Sequence, residues 1–206
     1  MRKILFISIV LLLASKSFSA ENAIDKGSYI MGLSGYLVHQ SGELYEVNKK
    51  SRISINVTPA FYYFFKPGIY IGPEIVFEGQ TYDDYDISKF GLGPRIGFIL
   101  NPKAAEENKD QYSLFYFSIF TTISRLQVTE TIYPYYYDYY SPYSYKQEST
   151  NLSFGFQFGT YSMVKSHFAL DFNLRAFVDK NNIKNSSYDR TGYTILLGLG
   201  VVGFSY

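Results

Sequence analysis

The chain has 206 residues and a formal charge of +1, and its 19% aromatic content exceeds its 18% charged content. Soluble domains usually carry about 25% charged residues, so this chain is short of charge and heavy in aromatic surface. It contains no Cys, which excludes a disulfide scaffold, thiolate zinc sites, thiol catalysis and a lipid anchor on Cys, and the near-zero charge gives no support for nucleic-acid binding.

In chain order, the first segment reads as an export signal. Arg2 and Lys3 precede an apolar run over residues 4–14, broken only by Ser8 and followed by Ser15, Lys16, Ser17, Phe18 and Ser19. A basic start, a short apolar stretch and small residues at the end describe a cleaved secretory signal. Ser17 and Ser19 suit the small positions before the cut, which places the signal at 1–19 and the mature domain at 20–206. The alternative is a membrane anchor, but the run is shorter than the roughly 20 residues that cross a bilayer. Removing 1–19 takes away Arg2, Lys3 and Lys16 and no acids, so the formal charge moves from +1 to −2. No later segment offers a long apolar run, which leaves a soluble exported protein or a barrel in an outer membrane.

The remaining segments alternate with period two, the signature of strands. Tyr29, Met31, Leu33 and Leu37 alternate with Gly32, Ser34 and Tyr36. Ile53, Ile55, Val57, Pro59, Phe61, Tyr63 and Phe65 alternate with Ser54, Asn56, Thr58 and Ala60. Further segments begin at Ile69, near Phe90, at 112–127 (whose faces do not separate), near Leu152, at Phe168 and near Thr191. That makes eight strands and one helical turn at 104–107. The strands are longer than the usual 5–6 residues and match the lengths that cross a membrane with a tilt. Tight turns are expected at 65–68 and 163–166, with a longer connection at 101–111 on the same side by parity, and long loops at 39–51, 79–88, 128–148 and 179–190 on the other. Short turns on one side and long loops on the other mark a membrane barrel.

The two faces of the strands differ in kind. One carries Leu, Ile and Phe without charge, which suits lipid. The other carries Gly, Ser, Asn and Gln, which suits the narrow interior of eight strands. By this reading all 13 Lys fall in the signal, loops, turns or strand ends. Pro59, Pro73 and Pro94 fall on the apolar face, and each implies a missing ladder bond. A soluble exported barrel or sandwich is the competing reading.

Four stretches resemble the small eight-stranded outer-membrane β-barrel proteins of the OmpA, OmpX and OmpW type: residues 26–32, 56–68 with the Pro67-Gly68 turn, 90–95, and the C-terminal 200–206. The resemblance covers about 26–206. It implies an all-β, eight-stranded antiparallel up-and-down transmembrane β-barrel. It also implies insertion by the barrel assembly machinery, with Phe204 and Tyr206 as assembly signal; Tyr206 stands where the family usually ends in Phe. Contact with outer-membrane lipid and lipopolysaccharide follows, in a Gram-negative cell, as a monomer. There is no room after Tyr206 for the peptidoglycan-binding domain of OmpA proteins.

Few charges lie within the strands. Parity turns Glu74, Glu78, Arg95, Asp171 and Arg175 to the lumen, together with Gln157 and Asn173, as a polar network. Glu74 and Arg95 are expected to meet across their hairpin, since a buried charge needs a partner. The alternatives are a plug, which an eight-stranded barrel favours, and a narrow pore. His39 with Ser41 and Glu43 offers residue types for hydrolysis without the geometry that fixes a triad; no catalytic residue, metal site or cofactor is assigned.

Half of the sixteen residues 131–146 are Tyr: Tyr133, Tyr135, Tyr136, Tyr137, Tyr139, Tyr140, Tyr143 and Tyr145. Tyr gives large contact area with few rotatable bonds, so this loop is a candidate contact surface for a host or cell-surface protein or glycan. Its alternative is packing at the lipid headgroups. The expected function is structural and surface-interacting, adhesion-like and non-enzymatic. The alternatives are a narrow pore or transporter for small or hydrophobic molecules, and a lipid-modifying outer-membrane enzyme.

Overall fold

The alternating segments become eight strands in the computed structural model, which describes residues 23–41, 52–82, 85–107, 112–132, 143–182 and 190–206. They are β1 (Tyr29–Ser41), β2 (Arg52–Lys66), β3 (Ile69–Tyr82), β4 (Tyr85–Ile99), β5 (Ser113–Ile132), β6 (Tyr143–Lys165), β7 (Phe168–Asn182) and β8 (Arg190–Ser205). Each pairs antiparallel with its neighbours in sequence, and β1 pairs with β8 from Tyr29↔Ser205 to Ser41↔Tyr193, which closes the barrel. The expected signal, 1–19, lies outside the described residues.

Period two sorts the side chains. Leu33, Leu37, Phe90, Leu92, Phe154, Phe156, Leu197 and Leu199 all point outward and are exposed, as part of a belt of Leu, Ile, Val and Phe around the wall. Soluble monomers rarely expose continuous apolar patches beyond a few hundred Å². The faces of β5 separate here: Leu114, Tyr116, Ser118, Phe120, Thr122 and Ser124 are buried inside, while Phe115, Ile119 and Ile123 are exposed. Phe120 had obscured the pattern, because a bulky apolar residue stands where the polar face was expected.

One end of the barrel carries tight turns. Pro67-Gly68 joins β2 to β3, with Gly68 at φ 70°, a left-handed conformation that glycine adopts without strain. Both tight hairpins slip register next to the turn, between Phe64 and Lys66 and between Met163 and Lys165. The second turn therefore lies at Ser166-His167, not at 163–166; Met163 is buried inside the barrel. The third connection holds one helical turn, α1 (Lys103–Glu107), as expected.

At the opposite, loop end the strands run further than expected. β3 and β4 continue to Tyr82 and Tyr85, so 79–88 is a hairpin and not a long loop. β5 and β6 pair up to Ile132↔Tyr143, so most of 128–148 is strand.

The turn end is sealed from inside. Ile30, Tyr62, Phe64, Tyr70, Tyr116, Tyr161, Val202 and Phe204 form a buried apolar plug, against which Ala23 and Ile24 pack from below. Backbone bonds hold this cap in place: Gly27 N–H donates to Phe64 C=O and Gly68 N–H to Ile24 C=O, each at 2.9 Å. Gly97 makes room for the plug, since a Cβ there would lie 2.0 Å from Cζ of Tyr70.

Candidate functional site

Above the plug the lumen is filled by three polar layers. In the lowest, the Asp171 carboxylate of β7 accepts hydrogen bonds from the Tyr116 hydroxyl at 2.7 Å, Asn173 Nδ2 at 2.8 Å and Ser34 Oγ at 3.1 Å. Gln157 Nε2 donates to the same Tyr116 oxygen at 2.5 Å.

In the middle layer Glu74 of β3 holds two guanidiniums. Arg95 Nη2 lies 2.6 Å from its Oε2, and Arg175 of β7 reaches its Oε1. Both guanidiniums stack on Phe120, at 5.1 and 4.6 Å from the ring centroid, and each has a second ring, Tyr62 or Tyr36, at 5.2 Å. All three charged side chains are buried. Two positive charges face Glu74 and the nearby Asp171, so formal charge balances, as a buried cluster requires.

The pair expected across the β3–β4 hairpin is therefore present, but not directly opposite. The register sets Gly72 against Arg95 and Glu74 against Gly93, so the two side chains meet along a diagonal. Arg175 is the additional partner.

The uppermost layer is an ion pair between Lys89 of β4 and Asp179 of β7, 3.1 Å apart and buried. Ser153 and Thr194 also donate to Asp179. This corrects the placement of every Lys outside the barrel interior, and of residue 179 in a loop. Lys89 shares the parity of Arg95, and Asp179 that of Asp171 and Arg175; counting in twos from either would have found them. Glu78 faces the lumen at the same level, half-buried and opposite Lys89 in the register.

Little free space remains between these layers. The two cavities inside the barrel measure about 20 and 10 Å³, each close to the minimum that holds one water. No cluster of potential metal ligands occurs among the described residues.

No family model and no curated protein matches the chain. Among solved structures it is similar to Neisserial surface protein A, at 13% identity and a TM-score of 0.60, covering 88% of this chain and all of that one. It also aligns with the attachment invasion locus protein Ail of Yersinia pestis, at 12% identity, a TM-score of 0.48 and coverage of 86% and 99%. A third match is the outer membrane protein OprG of Pseudomonas aeruginosa, at 10% identity, 0.41, and coverage of 89% and 97%. The chain has the fold of the small eight-stranded outer-membrane β-barrels.

In an eight-stranded outer-membrane barrel fold the interior has room for side chains and little else, and here the expected residues fill it. Glu74, Arg95, Gln157, Asp171, Asn173 and Arg175 converge in two adjoining layers, and Glu78 stands above them. His39 and His167 are not brought together. His39 faces outward on β1, and His167 sits in the turn-end connection, stacked on Tyr206 with centroids 4.5 Å apart. Tyr206 donates to the Ser166 carbonyl at 3.0 Å, while Phe204 lies within the plug.

Of the Tyr-rich segment, Tyr143 and Tyr145 belong to β6, opposite Ile132 and Glu130. Tyr133, Tyr135, Tyr136, Tyr137, Tyr139 and Tyr140 lie outside the described residues.

Proposed function

We propose that the chain is an integral outer-membrane protein of a Gram-negative cell that displays its loop-end hairpins for surface contact and carries out no catalysis. Export by the cleaved N-terminal signal and insertion by the barrel assembly machinery belong to this reading, as does a lipid and lipopolysaccharide surround. The outward belt of Leu, Ile, Val and Phe supports the membrane location, and so does the fold shared with a Neisserial surface protein.

One observation carries the display role: the lumen is closed while the β5–β6 hairpin stands tall. Above Ser124↔Asn151 that hairpin adds rungs up to Ile132↔Tyr143, roughly 27 Å of further strand at about 3.4 Å per residue. It rises past the apolar belt to Ile132↔Tyr143, the ends between which the Tyr-rich segment is joined in sequence. A strand pair costs ordering entropy, and a loop that served only to join two lipid-facing strands would need no such stalk.

The test has two arms. Purified protein in planar bilayers is expected to show no single-channel conductance, because ion pairs and the apolar plug block the axis; steady conductance would overturn the closed-lumen reading. Cells displaying the protein are expected to bind a host-cell or glycan surface that cells carrying a 133–142 deletion do not bind. Both barrels should keep the mobility shift between cold and boiled gel samples. Equal binding by the two would reject the adhesive apex.

A further inference from the structure

The two tight hairpins at the turn end are built differently. The β2–β3 turn uses Pro67 and Gly68, residues whose backbones favour reversal of the chain. The β6–β7 turn places Ser166 and His167 in the same two positions, after the same register slip. Neither Pro nor Gly helps that turn, so its side chains have to be explained by what they touch.

What they touch is the end of β8. The ladders stop at Phe168↔Gly203 on one side of that strand and at Tyr29↔Ser205 on the other. Past Gly203 the turn takes over from the ladder. The Phe204 N–H donates to the His167 carbonyl at 2.9 Å. His167 Nδ1 lies 3.2 Å from the Phe204 carbonyl oxygen, and a carbonyl only accepts, so that nitrogen carries the proton. The imidazole stacks on the Tyr206 ring, with centroids 4.5 Å apart and planes 27° apart. The Tyr206 hydroxyl donates to the Ser166 carbonyl at 3.0 Å. A Phe at position 206 would keep the stack and lose this last bond, which gives the hydroxyl a specific role. The clasp is also local. Its side-chain bonds join residues 37 and 40 apart in sequence, whereas closing the ring joins Tyr29 to Ser205. A shorter loop closes at a lower entropic cost. None of these contacts involves β1, so β6, β7 and β8 are enough to make the clasp.

We propose that the Ser166-His167 turn is the chain's own receiver for residues 204–206, and that clasping them releases the barrel from the assembly machinery. The inference rests on insertion by that machinery, with Phe204 and Tyr206 as its signal, and adds the site that competes for the signal. In the folded barrel both aromatic side chains are taken. Phe204 is 3% exposed and stands edge-on to Tyr161 at 5.6 Å, and Tyr206 lies against His167 and the plug. A ring stacked on His167 is withdrawn from any other protein, so the clasped and the recognised states exclude each other. A stacked aromatic pair and a hydrogen bond each shift such an equilibrium by roughly 2–10-fold. Because the clasp needs only the last three strands, it begins to compete before β1 closes the ring.

The test follows the full chain carrying a photo-crosslinking amino acid in place of Val201, which is exposed on the outward face of β8. Folding is timed by the mobility shift between cold and boiled samples, in plain lipid vesicles and in vesicles that hold the purified machinery. In plain vesicles His167→Ala and Tyr206→Phe are expected to fold at the wild-type rate. With the machinery present, crosslinks of His167→Ala to it should outlast the mobility shift several-fold longer than those of the wild type. Tyr206→Phe should show a smaller delay, and His167→Phe, which keeps a ring to stack on, should recover most of the release. Release of His167→Ala as fast as the wild type would overturn the clasp. So would folding slowed to the same extent in plain vesicles, since that marks an ordinary turn defect. A wild-type chain that gains no speed from the machinery and forms no crosslink to it would remove the insertion reading itself, and the clasp with it. None of these results touches the conductance and adhesion tests of the display reading.

Discussion

Glu74 is the side chain on which the filled lumen turns, because one buried carboxylate answers two buried guanidiniums. Breaking a buried ion pair by removing one partner costs about 3–5 kcal/mol, since the survivor keeps its desolvation penalty. Glu74→Gln should therefore destabilise the barrel by about that amount in urea unfolding from micelles, followed by gel mobility. Arg95→Met should cost less, because Arg175 still matches the carboxylate. The double variant should fall short of the sum by roughly 0.5–3 kcal/mol, the range for directly coupled residues; additive costs would sink the cluster. Parity and the need for pairing were enough to anticipate Glu74 with Arg95 from the sequence. Arg175 was legible as a lumen residue but not as the second partner, because it lies 101 residues from Glu74 and only closure of the ring brings it across. Lys89 and Asp179 carried the same parity signal, yet each stood beside a polar segment that reads as loop, and the loop reading hid them.

Among the elements, the β5–β6 hairpin departs most from the sequence reading. Its outward face changes character along one line. Ile123 and Leu152 are exposed and apolar, and above them, past Thr150, Arg125, Glu148 and Lys146 are joined in two ion pairs. Past that line the outward row turns polar and charged, so the apolar stripe that marks a lipid-facing strand stops while the ladder itself continues. That is why 128–148 reads as loop and folds mostly as strand, and 79–88 misleads for the same reason. The charges offer a pH test. Glu148 is held below its ordinary value of 4.5, first by the hydrogen bond from Arg125 and then by that from Lys146. A carboxyl with a lowered folded pKa adds stability above its unfolded pKa and loses it as pH falls through the folded value. Hydrogen-exchange protection of the hairpin above Ser124↔Asn151 should stay level down to pH 4.5 and decline below it. The decline should be small, since an exposed pair is screened by solvent, and Arg125→Ala should remove most of it. A hairpin whose protection is unchanged at pH 3 would show that the pairs do not hold it.

At the scale of the whole molecule the number of strands and the side of the tight turns were legible, because each depends on alternation and on Pro and Gly, whereas the full length of β5 and β6 was not. The seal at the turn end was not. It depends on where residues 23–28 fold after the chain closes, and no periodic signal encodes that. Nor was the short β2–β3 ladder, which runs only through Tyr63↔Ile71, Phe64↔Tyr70 and Lys66↔Ile69, although Pro59 and Pro73 were visible; a missing ladder bond is local, and which neighbour loses it depends on register. What the whole barrel asks of its surroundings can be measured along one strand. On β8 the outward residues run from Tyr193 through Ile195, Leu197, Leu199 and Val201 to Gly203. At about 3.4 Å per residue and a tilt of about 45° that stretch covers about 24 Å, close to the height of an outer-membrane apolar band. If this belt meets hydrocarbon, the cost of a charge must depend on depth. Leu197→Lys, in the middle of the belt, should cost about 2–4 kcal/mol in reversible folding into lipid vesicles, and Tyr193→Lys, at its upper edge, about 0–1 kcal/mol. A water-facing wall would show no such gradient, and Leu197→Lys would then improve solubility at little cost. Equal costs at the two positions would therefore remove the membrane from the account of this fold, whatever the likeness to other barrels.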